Sequence, residues 1–512
     1  MGTGPIDCHP RPLTWSQQAT IWRPQATISR WQATIWRQQA TIWRRQETTW
    51  RRQETMSRWQ ARQPWLALAP VVILLAGTTG VPAMPAVAKS DLRLSVSPAV
   101  SPADSPLSIR VSGLAPGQRV TLSVTSVDAK GLEWSEAIDY VANRAGAVDP
   151  ALEGGTDRGG PVGPDAMAPV DLMTNPGMFS TTLNLSAWPF GSYSGYENAY
   201  SWATCKLPGK TGPSCSWSKA RPFTFTASSG GMHASVTVER APAMPVTASV
   251  ETVAAHGFYG VYWQPPARLD NHIGVLEFGG SGGGVDTLFG AFLASHGYPT
   301  LDLAYFDAPG LPQVIGGFSL GYFAEAFRWL RAQPGVNPGR AWVAGWSLGS
   351  EAALQLGVYY PGLVHGVLAL EPNDVPACSW DPGTGFAIWA LGGLPLPCTD
   401  EPNPLPADNP EAVVPVAKIR GPVFMDCGGA DGIWNACTYA ENMMAQLKRA
   451  HDRYAHELLD YPGAGHGLGA PVPYDPGVAS LEYYYGLGGQ TVLSNPVALA
   501  NQWGKLLSFL QR

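Results

Sequence analysis

Gly345-Trp346-Ser347-Leu348-Gly349 is a G-x-S-x-G pentapeptide set between an apolar run and a helix-forming run, LGSEAALQLG. A serine on a sharp strand-to-helix turn exposes its hydroxyl, and small neighbours let the strained backbone pack closely. The helix N-terminus offers free N–H groups to a developing oxyanion. Such a hydroxyl needs a base, the base needs an orienting acid, and the expected order along the chain is serine, acid, histidine. Of nine histidines, five precede Ser347. His365 begins a strand, while His451 and His456 flank the end of a helical stretch and are expected to face solvent. His466 lies in YPGAGHG (461–467), a glycine-rich loop after the last good strand, where a general base can reach the serine. Asp431, in the loop that Cys427-Gly428-Gly429-Ala430 opens after a strand, is the expected acid. Asp426 is its main rival, and Glu371 and Asp374 are more distant ones. The chemistry predicted is acyl transfer: His466 takes the Ser347 proton as the hydroxyl attacks a carbonyl, and Asp431 orients the imidazole.

A second match to the pentapeptide, Gly279-Gly280-Ser281-Gly282-Gly283, follows an earlier strand. It reads better as the loop that completes the oxyanion hole, with the N–H of Ser281 or Gly282 joining that of Leu348. A lone serine in a glycine-rich turn is ordinarily structural, and a lone loop histidine is ordinarily solvated. Three residues in the required order, each on the required element, carry the argument that either alone would not.

The elements that must position them form two patterns. From Ser90 to Arg240, Leu92/Leu94/Val96, Leu107/Ile109/Val111 and Val120/Leu122/Val124 alternate with polar residues, and 181–185, 223–226 and 234–238 are strand-like. Short strands divided by SPADSP and GLAPGQ predict an immunoglobulin-like β-sandwich over 89–245, with 146–177 as a long surface excursion. Beyond Pro245, strand-like runs at 273–278, 300–305, 340–344, 364–370, 423–425 and 457–461 alternate with helical ones at 285–296, 321–333 and 348–357. Phe323, Ala326, Phe327 and Leu330 recur at i, i+3, i+4 and i+7. This predicts an α/β-hydrolase domain over 246–512, a mostly parallel doubly wound sheet, with 373–416 inserted as a cap.

The chain of 512 residues is 45% hydrophobic and 14% charged, which excludes a disordered polyelectrolyte. Its formal charge of −6 hides an arginine-rich leader: residues 1–88 hold ten arginines and three acids, so 89–512 carry 23 basic and 36 acidic residues. That balance opposes a nucleic-acid partner. Within the leader, Gln18, Gln25, Gln32, Gln39, Gln46, Gln53 and Gln60 mark a heptad repeat with one good apolar position, too few for a coiled coil. Residues 1–55 are therefore read as low-complexity, with Met56 as the alternative start. Arg58 and Arg62, the apolar run 65–76 and Ala86-Val87-Ala88 then form an export signal over 56–88. A membrane anchor through 65–88 is the lesser reading, because the apolar run is short and Pro82 and Pro85 break its end. A secreted or cell-envelope location without a stable membrane span follows. Six cysteines remain after the leader: Cys205, Cys215, Cys378, Cys398, Cys427 and Cys437. Pairing between neighbours is expected, and a Cys427–Cys437 bond would hold the loop around Asp431. No C-x-x-C spacing occurs, and the chemistry requires no metal or cofactor.

The motifs also resemble a known family. Residues 278–312 (FGGSGGGVDTLFGAFLASHGYPTLDLAYFDAPGLP), YFAEAFRWL, GWSLGSEAAL, DGIW at 431–434 and GAGHG are similar to the C-terminal domain of the acyl-CoA thioesterase and bile acid-CoA:amino acid N-acyltransferase family. Residues 109–124 and 141–149 resemble its N-terminal domain, and the likeness spans nearly all of 90–512. The resemblance implies a Ser/Cys–Asp–His triad matching Ser347, Asp431 and His466, and acyl transfer from a thioester to water or an amine. The amine-transferring branch carries cysteine as nucleophile, so Ser347 implies water as acceptor and an acyl thioester or ester as substrate. A secreted carboxylesterase or lipase acting on oxoesters, and a non-catalytic cell-surface binding protein, are the alternatives.

Overall fold

The computed structural model describes residues 91–175, 203–206, 214–217, 220–241, 246–285, 287–378, 387–401, 403–469, 472–477 and 487–512. The leader, the expected export signal and cleavage site, and the strand expected at 181–185 lie outside the described residues.

Eight strands form the sheet of the C-terminal domain: β1 (Thr247–Glu251), β2 (Tyr259–Gln264), β3 (Val275–Phe278), β4 (Thr300–Ala304), β5 (Trp342–Trp346), β6 (Gly366–Leu370), β7 (Val423–Gly428) and β8 (Glu457–Tyr461). Their spatial order is 1-2-4-3-5-6-7-8. The β1–β2 and β2–β4 pairs are antiparallel and the others parallel. This is the α/β-hydrolase sheet, with β5 near its centre. Among the described residues, five helices of more than two turns accompany it: α1 (Thr287–Ser295), α2 (Leu320–Arg331), α3 (Leu348–Tyr359), α4 (Ala436–Arg449) and α5 (Ser494–Phe509).

Parallel strands covered on both faces are largely apolar, and every residue of β3, β4, β6 and β7 is buried, Glu277, Asp302 and Asp426 included. Alternate residues serve two cores. Val343, Val367, Ala369 and Met425 pack with Phe323 and Phe327 of α2, Ala352 of α3 and Met443 of α4. Trp342, Ala344, Leu368 and Phe424 pack with Phe289 of α1 and with Trp503, Leu506 and Phe509 of α5. The apolar stripe expected on α2 is buried as its spacing requires, and Ser319 caps that helix by accepting the Gly321 N–H at 3.2 Å.

β1, β2 and α5 were not anticipated, and β7 runs three residues beyond the apolar run that predicted it. Asp426, Cys427 and Gly428 are thus strand residues.

Among the described residues, the N-terminal region contains two larger sheets besides the two-stranded pair Ala203–Lys206/Ser214–Trp217. Arg93–Ser97, Ser108–Ser112 and Ala147–Val148 form one. The other orders Val100–Pro102, Met232–Ala241, Arg221–Ser229, Arg119–Val127, Glu133–Val141, Gly155–Thr156 and Pro161–Val162. Their inner faces meet in one core, where Ile109 and Val111 join Leu122, Val124, Trp134 and Phe225. The expected surface excursion at 146–177 is corrected. It supplies edge strands and a short helix, Ala168–Asp171, and Met167, Val170, Leu172 and Met173 enter the same core. Its glycines and prolines set turns between apolar residues that close the layer. Asp104 ties the two domains by accepting from Trp503 Nε1 (2.8 Å) and His296 Nε2 (2.5 Å). No helix among the described residues is long and apolar enough to cross a membrane.

Candidate active site

Ser347 stands at the junction of β5 and α3 with φ +55° and ψ −124°, a conformation that costs energy for any residue with a side chain. Close packing holds it there. A Cβ on Gly345 would lie 2.2 Å from the Gly349 carbonyl oxygen, and one on Gly349 would lie 2.5 Å from the oxygens of Gly279 and Phe278. The glycines of the pentapeptide are therefore steric requirements of this turn.

The three residues singled out by order and context converge. His466 Nε2 lies 2.8 Å from Ser347 Oγ, and His466 Nδ1 lies 2.8 Å from Asp431 Oδ2. With its Nδ1–H donating to Asp431, the imidazole presents its Nε2 lone pair to the serine hydroxyl. Asp431 Oδ1 accepts the N–H groups of Ile433 (2.6 Å) and Trp434 (3.1 Å), which leaves Oδ2 for the histidine. The His466 N–H binds the Leu487 carbonyl at 2.8 Å, and Asn495 of α5 accepts the Gly465 N–H at 2.7 Å. The Trp434 ring meets the imidazole edge-on at 5.3 Å. All three side chains are buried, so few competing waters reach the hydrogen bonds.

The loop after β3 lies against Ser347. A Cβ at Gly280 would sit 3.0 Å from Ser347 Cβ and 3.3 Å from its Oγ, so Gly280 makes the close approach, with Ser281 and Gly282 beyond it. Leu348 follows Ser347 as the first residue of α3. The buried Tyr305 hydroxyl, which sequence reasoning missed, donates to the carbonyls of Gly279 (3.0 Å) and Gly280 (2.9 Å). Burial, reinforced by Glu351 and Glu277, holds that phenol well above its ordinary range, so it remains a neutral donor.

The rival acids go elsewhere. Asp426 accepts the Glu371 N–H (2.8 Å) and Gln502 Nε2, and Asp374 accepts from Asn442 (2.6 Å) and Gln446 (3.2 Å). Glu371 is the exception: its carboxyl lies beside Asp431 and His466, with one ligating atom of each within 4.8 Å of the others. His456 is not the solvated residue expected, because its side chain is 9% exposed and Nδ1 accepts the Val423 N–H at 3.2 Å. Cys427–Cys437 and Cys378–Cys398 are disulfides. Cys205 and Cys215 stand opposite each other in an antiparallel pair. Among the described residues, two clusters have atoms close enough to hold a cation: Glu371/Asp431/His466, and Cys427/Cys437/Asp460. In the first, both His466 nitrogens are already committed; in the second, the sulfurs are bonded to each other.

Two stretches of the chain match the two regions of one family. Its N-terminal region, described as acyl-CoA thioester hydrolase/BAAT, matches residues 104–157, and its C-terminal region matches 399–512. Acyl-coenzyme A amino acid N-acyltransferase 2 of Rattus norvegicus is 28% identical over 82% of this chain and 98% of that protein. Peroxisomal succinyl-coenzyme A thioesterase of Mus musculus is 26% identical over 79% of this chain and 93% of that protein. Among solved structures, the Pyrobaculum calidifontis esterase covers 52% of this chain and 86% of its own, at 16% identity and a TM-score of 0.35. With both family regions matched in their order, and relatives aligned across nearly their whole length, this chain is a hydrolase-like enzyme similar to the members of the acyl-CoA thioester hydrolase and bile acid-CoA:amino acid N-acyltransferase family.

Proposed function

We propose that this protein hydrolyses an acyl thioester, or an ester, through a Ser347–His466–Asp431 triad and an acyl-enzyme. The continuous hydrogen-bond relay Ser347–His466–Asp431, at 2.8 Å on each side of the imidazole, carries this reading. His466 Nε2 takes the hydroxyl proton as Ser347 Oγ attacks the carbonyl carbon. Asp431 steadies the imidazolium that forms. The tetrahedral oxyanion is held by the N–H of Leu348 and an N–H of the 280–282 loop, each worth about 3 kcal/mol to the transition state. His466 then protonates the departing thiol or alcohol and activates the water that releases the acid.

Relatives named as thioesterases and as N-acyltransferases both match, so the choice of acceptor rests on the nucleophile, and Ser347 favours water. An oxoester substrate is the second reading. It is favoured by the export signal over 56–88, which would deliver the enzyme to a secreted or cell-envelope location poor in CoA thioesters. Within the same proposal, residues 89–245 are an immunoglobulin-like sandwich, 246–512 the catalytic domain and 373–416 a cap. The hairpin Trp389–Leu391/Leu394–Pro395 pairs with Phe318–Ser319, next to α2, which supports a cap.

Purified protein and its Ser347→Ala variant are assayed on acyl-CoA esters and nitrophenyl esters of graded chain length, with and without glycine or taurine. Hydrolysis that is lost in Ser347→Ala and yields no amide is expected. The ratio of kcat/KM on thioester to that on oxoester decides between the substrates. Retention of most activity by Ser347→Ala overturns the proposal.

A further inference from the structure

Glu371 is built into the site more firmly than its place outside the triad requires. It follows β6 with φ +44°, a left-handed conformation that residues with side chains seldom hold without cause. The site grips it through three groups. Its N–H donates to Asp426 Oδ1 at 2.8 Å, its carbonyl accepts from Trp434 Nε1 at 3.2 Å, and its Oε1 accepts the Gly428 N–H at 2.8 Å. Oε2 is buried and meets no donor among the described residues. The carboxyl nevertheless lies beside Asp431, with a ligating atom of Glu371, of Asp431 and of His466 mutually within 4.8 Å. An ionised Oε2 there would face a second carboxylate with no donor between them, an arrangement that buried charges do not sustain. A carboxylic acid has an O–H to offer instead.

We propose that Glu371 is a positioning residue of the active site, a neutral acid whose Oε2–H donates a hydrogen bond to the Asp431 carboxylate and holds it on His466. The inference rests on the Ser347–His466–Asp431 reading. Asp431 then takes donors from Ile433, Trp434 and Glu371 besides His466, and a single negative charge stands behind the imidazole. The titratable groups facing Glu371 are Asp426 from β7, Asp431 from the loop after it and His466 from the loop after β8. Burial first, then the charges of Asp431 and Asp426, push the Glu371 carboxyl well above its ordinary range, as the neutral form requires.

The test compares full-length wild type, Glu371→Gln, Glu371→Leu and Ser347→Ala on nitrophenyl butyrate from pH 6 to 10. Glu371→Leu is expected to lower kcat about 30- to 100-fold with little change in KM, because it loosens the acid behind the base. Glu371→Gln, whose amide N–H donates where the acid O–H did, should recover to within about fivefold of wild type. Wild type should also lose activity on the alkaline side as the Glu371 proton leaves, and the Gln variant should lack that fall. A Gln variant as slow as Leu, a Leu variant as fast as wild type, or an alkaline limb unchanged in the Gln variant overturns the role. If Glu371→Leu fails to fold by circular dichroism, the near-isosteric Gln variant decides alone through its alkaline limb. Active Ser347→Ala protein overturns the underlying triad, and this inference with it. Inactive Ser347→Ala together with a fast Leu variant overturns the role of Glu371 alone.

Discussion

Gly349→Ala tests whether the shape of the elbow holds the oxyanion loop in place. The added Cβ would lie 2.5 Å from the carbonyl oxygens of both Gly279 and Phe278. These are main-chain atoms leading into the loop that packs on Ser347, and they cannot turn aside as a side-chain tip would. Ordinary contact lies near about 3.5 Å, so relief needs about 1 Å of relative movement between α3 and the loop after β3. Overpacking of this kind costs about 1–3 kcal/mol of stability. Alanine regains at most about 1 kcal/mol of that through its better helix propensity. A displacement of about 1 Å among reacting groups costs about 10²-fold in rate. The expected variant is therefore folded, melts a few degrees lower, and has a kcat on nitrophenyl butyrate reduced about 10²-fold with KM within about threefold. Gly504→Ala in α5 is the control, because nothing lies within 4 Å of a Cβ built there. It should leave the kinetics unchanged and keep or raise the melting temperature. Wild-type kcat in Gly349→Ala refutes the steric argument. Lower stability with unaltered kcat refutes the coupling between elbow packing and the oxyanion loop.

Three further outcomes follow from the same geometry. His466→Ala should lower kcat at least about 10⁴-fold while the protein stays folded by circular dichroism, and activity within tenfold of wild type would remove it as the base. Asp374 is pushed from its ordinary 3.8 to about 7, chiefly by burial, so between these pH values the unfolded chain releases a proton that the folded one keeps. Its contribution makes wild-type stability fall as pH rises through that window, by about 1.4 kcal/mol per unit. Asp374→Asn keeps an oxygen for Asn442 and Gln446, and should gain on wild type between pH 4.5 and about 7 in urea titrations; a pH-independent difference refutes this. Removing the Cys427–Cys437 bond with paired alanines frees a 10-residue separation next to Asp431. It should cost about 2–3 kcal/mol and lower kcat, and an unchanged melting temperature would show that the bond carries no such load.

The convergence of Ser347, His466 and Asp431 was legible because the chemistry proposed for them orders residues along the chain: a serine between small residues at a strand-to-helix turn, an acid after a later strand, and a histidine in a glycine-rich loop after the last. Each of those signals is local. The rest of the site depends on which strands are neighbours, and no local pattern records that. Tyr305 reaches the carbonyls of Gly279 and Gly280 because β3 and β4 lie side by side. Glu371 reaches Asp431 because β6 pairs with β7 in a register that sets Leu370 opposite Asp426. Gln502, on a C-terminal helix whose amphipathic signal was passed over, then reaches Asp426 across 76 residues of sequence. The strand β2 escaped notice because it is buried at five successive positions and shows no alternation. Residues 146–177 were misread for the opposite reason: their glycines and prolines are conspicuous, whereas the few apolar residues that decide their burial are not. Asp426 and Glu371 looked like rivals of Asp431 when judged by distance from strand ends. Placed by sheet register they are its supports, with Gln502 bound to Asp426, Asp426 to the Glu371 N–H, and the Glu371 carboxyl beside Asp431. A nucleophile can thus be found from its own neighbours in sequence, while the acid that orients its base is defined by neighbours in the sheet.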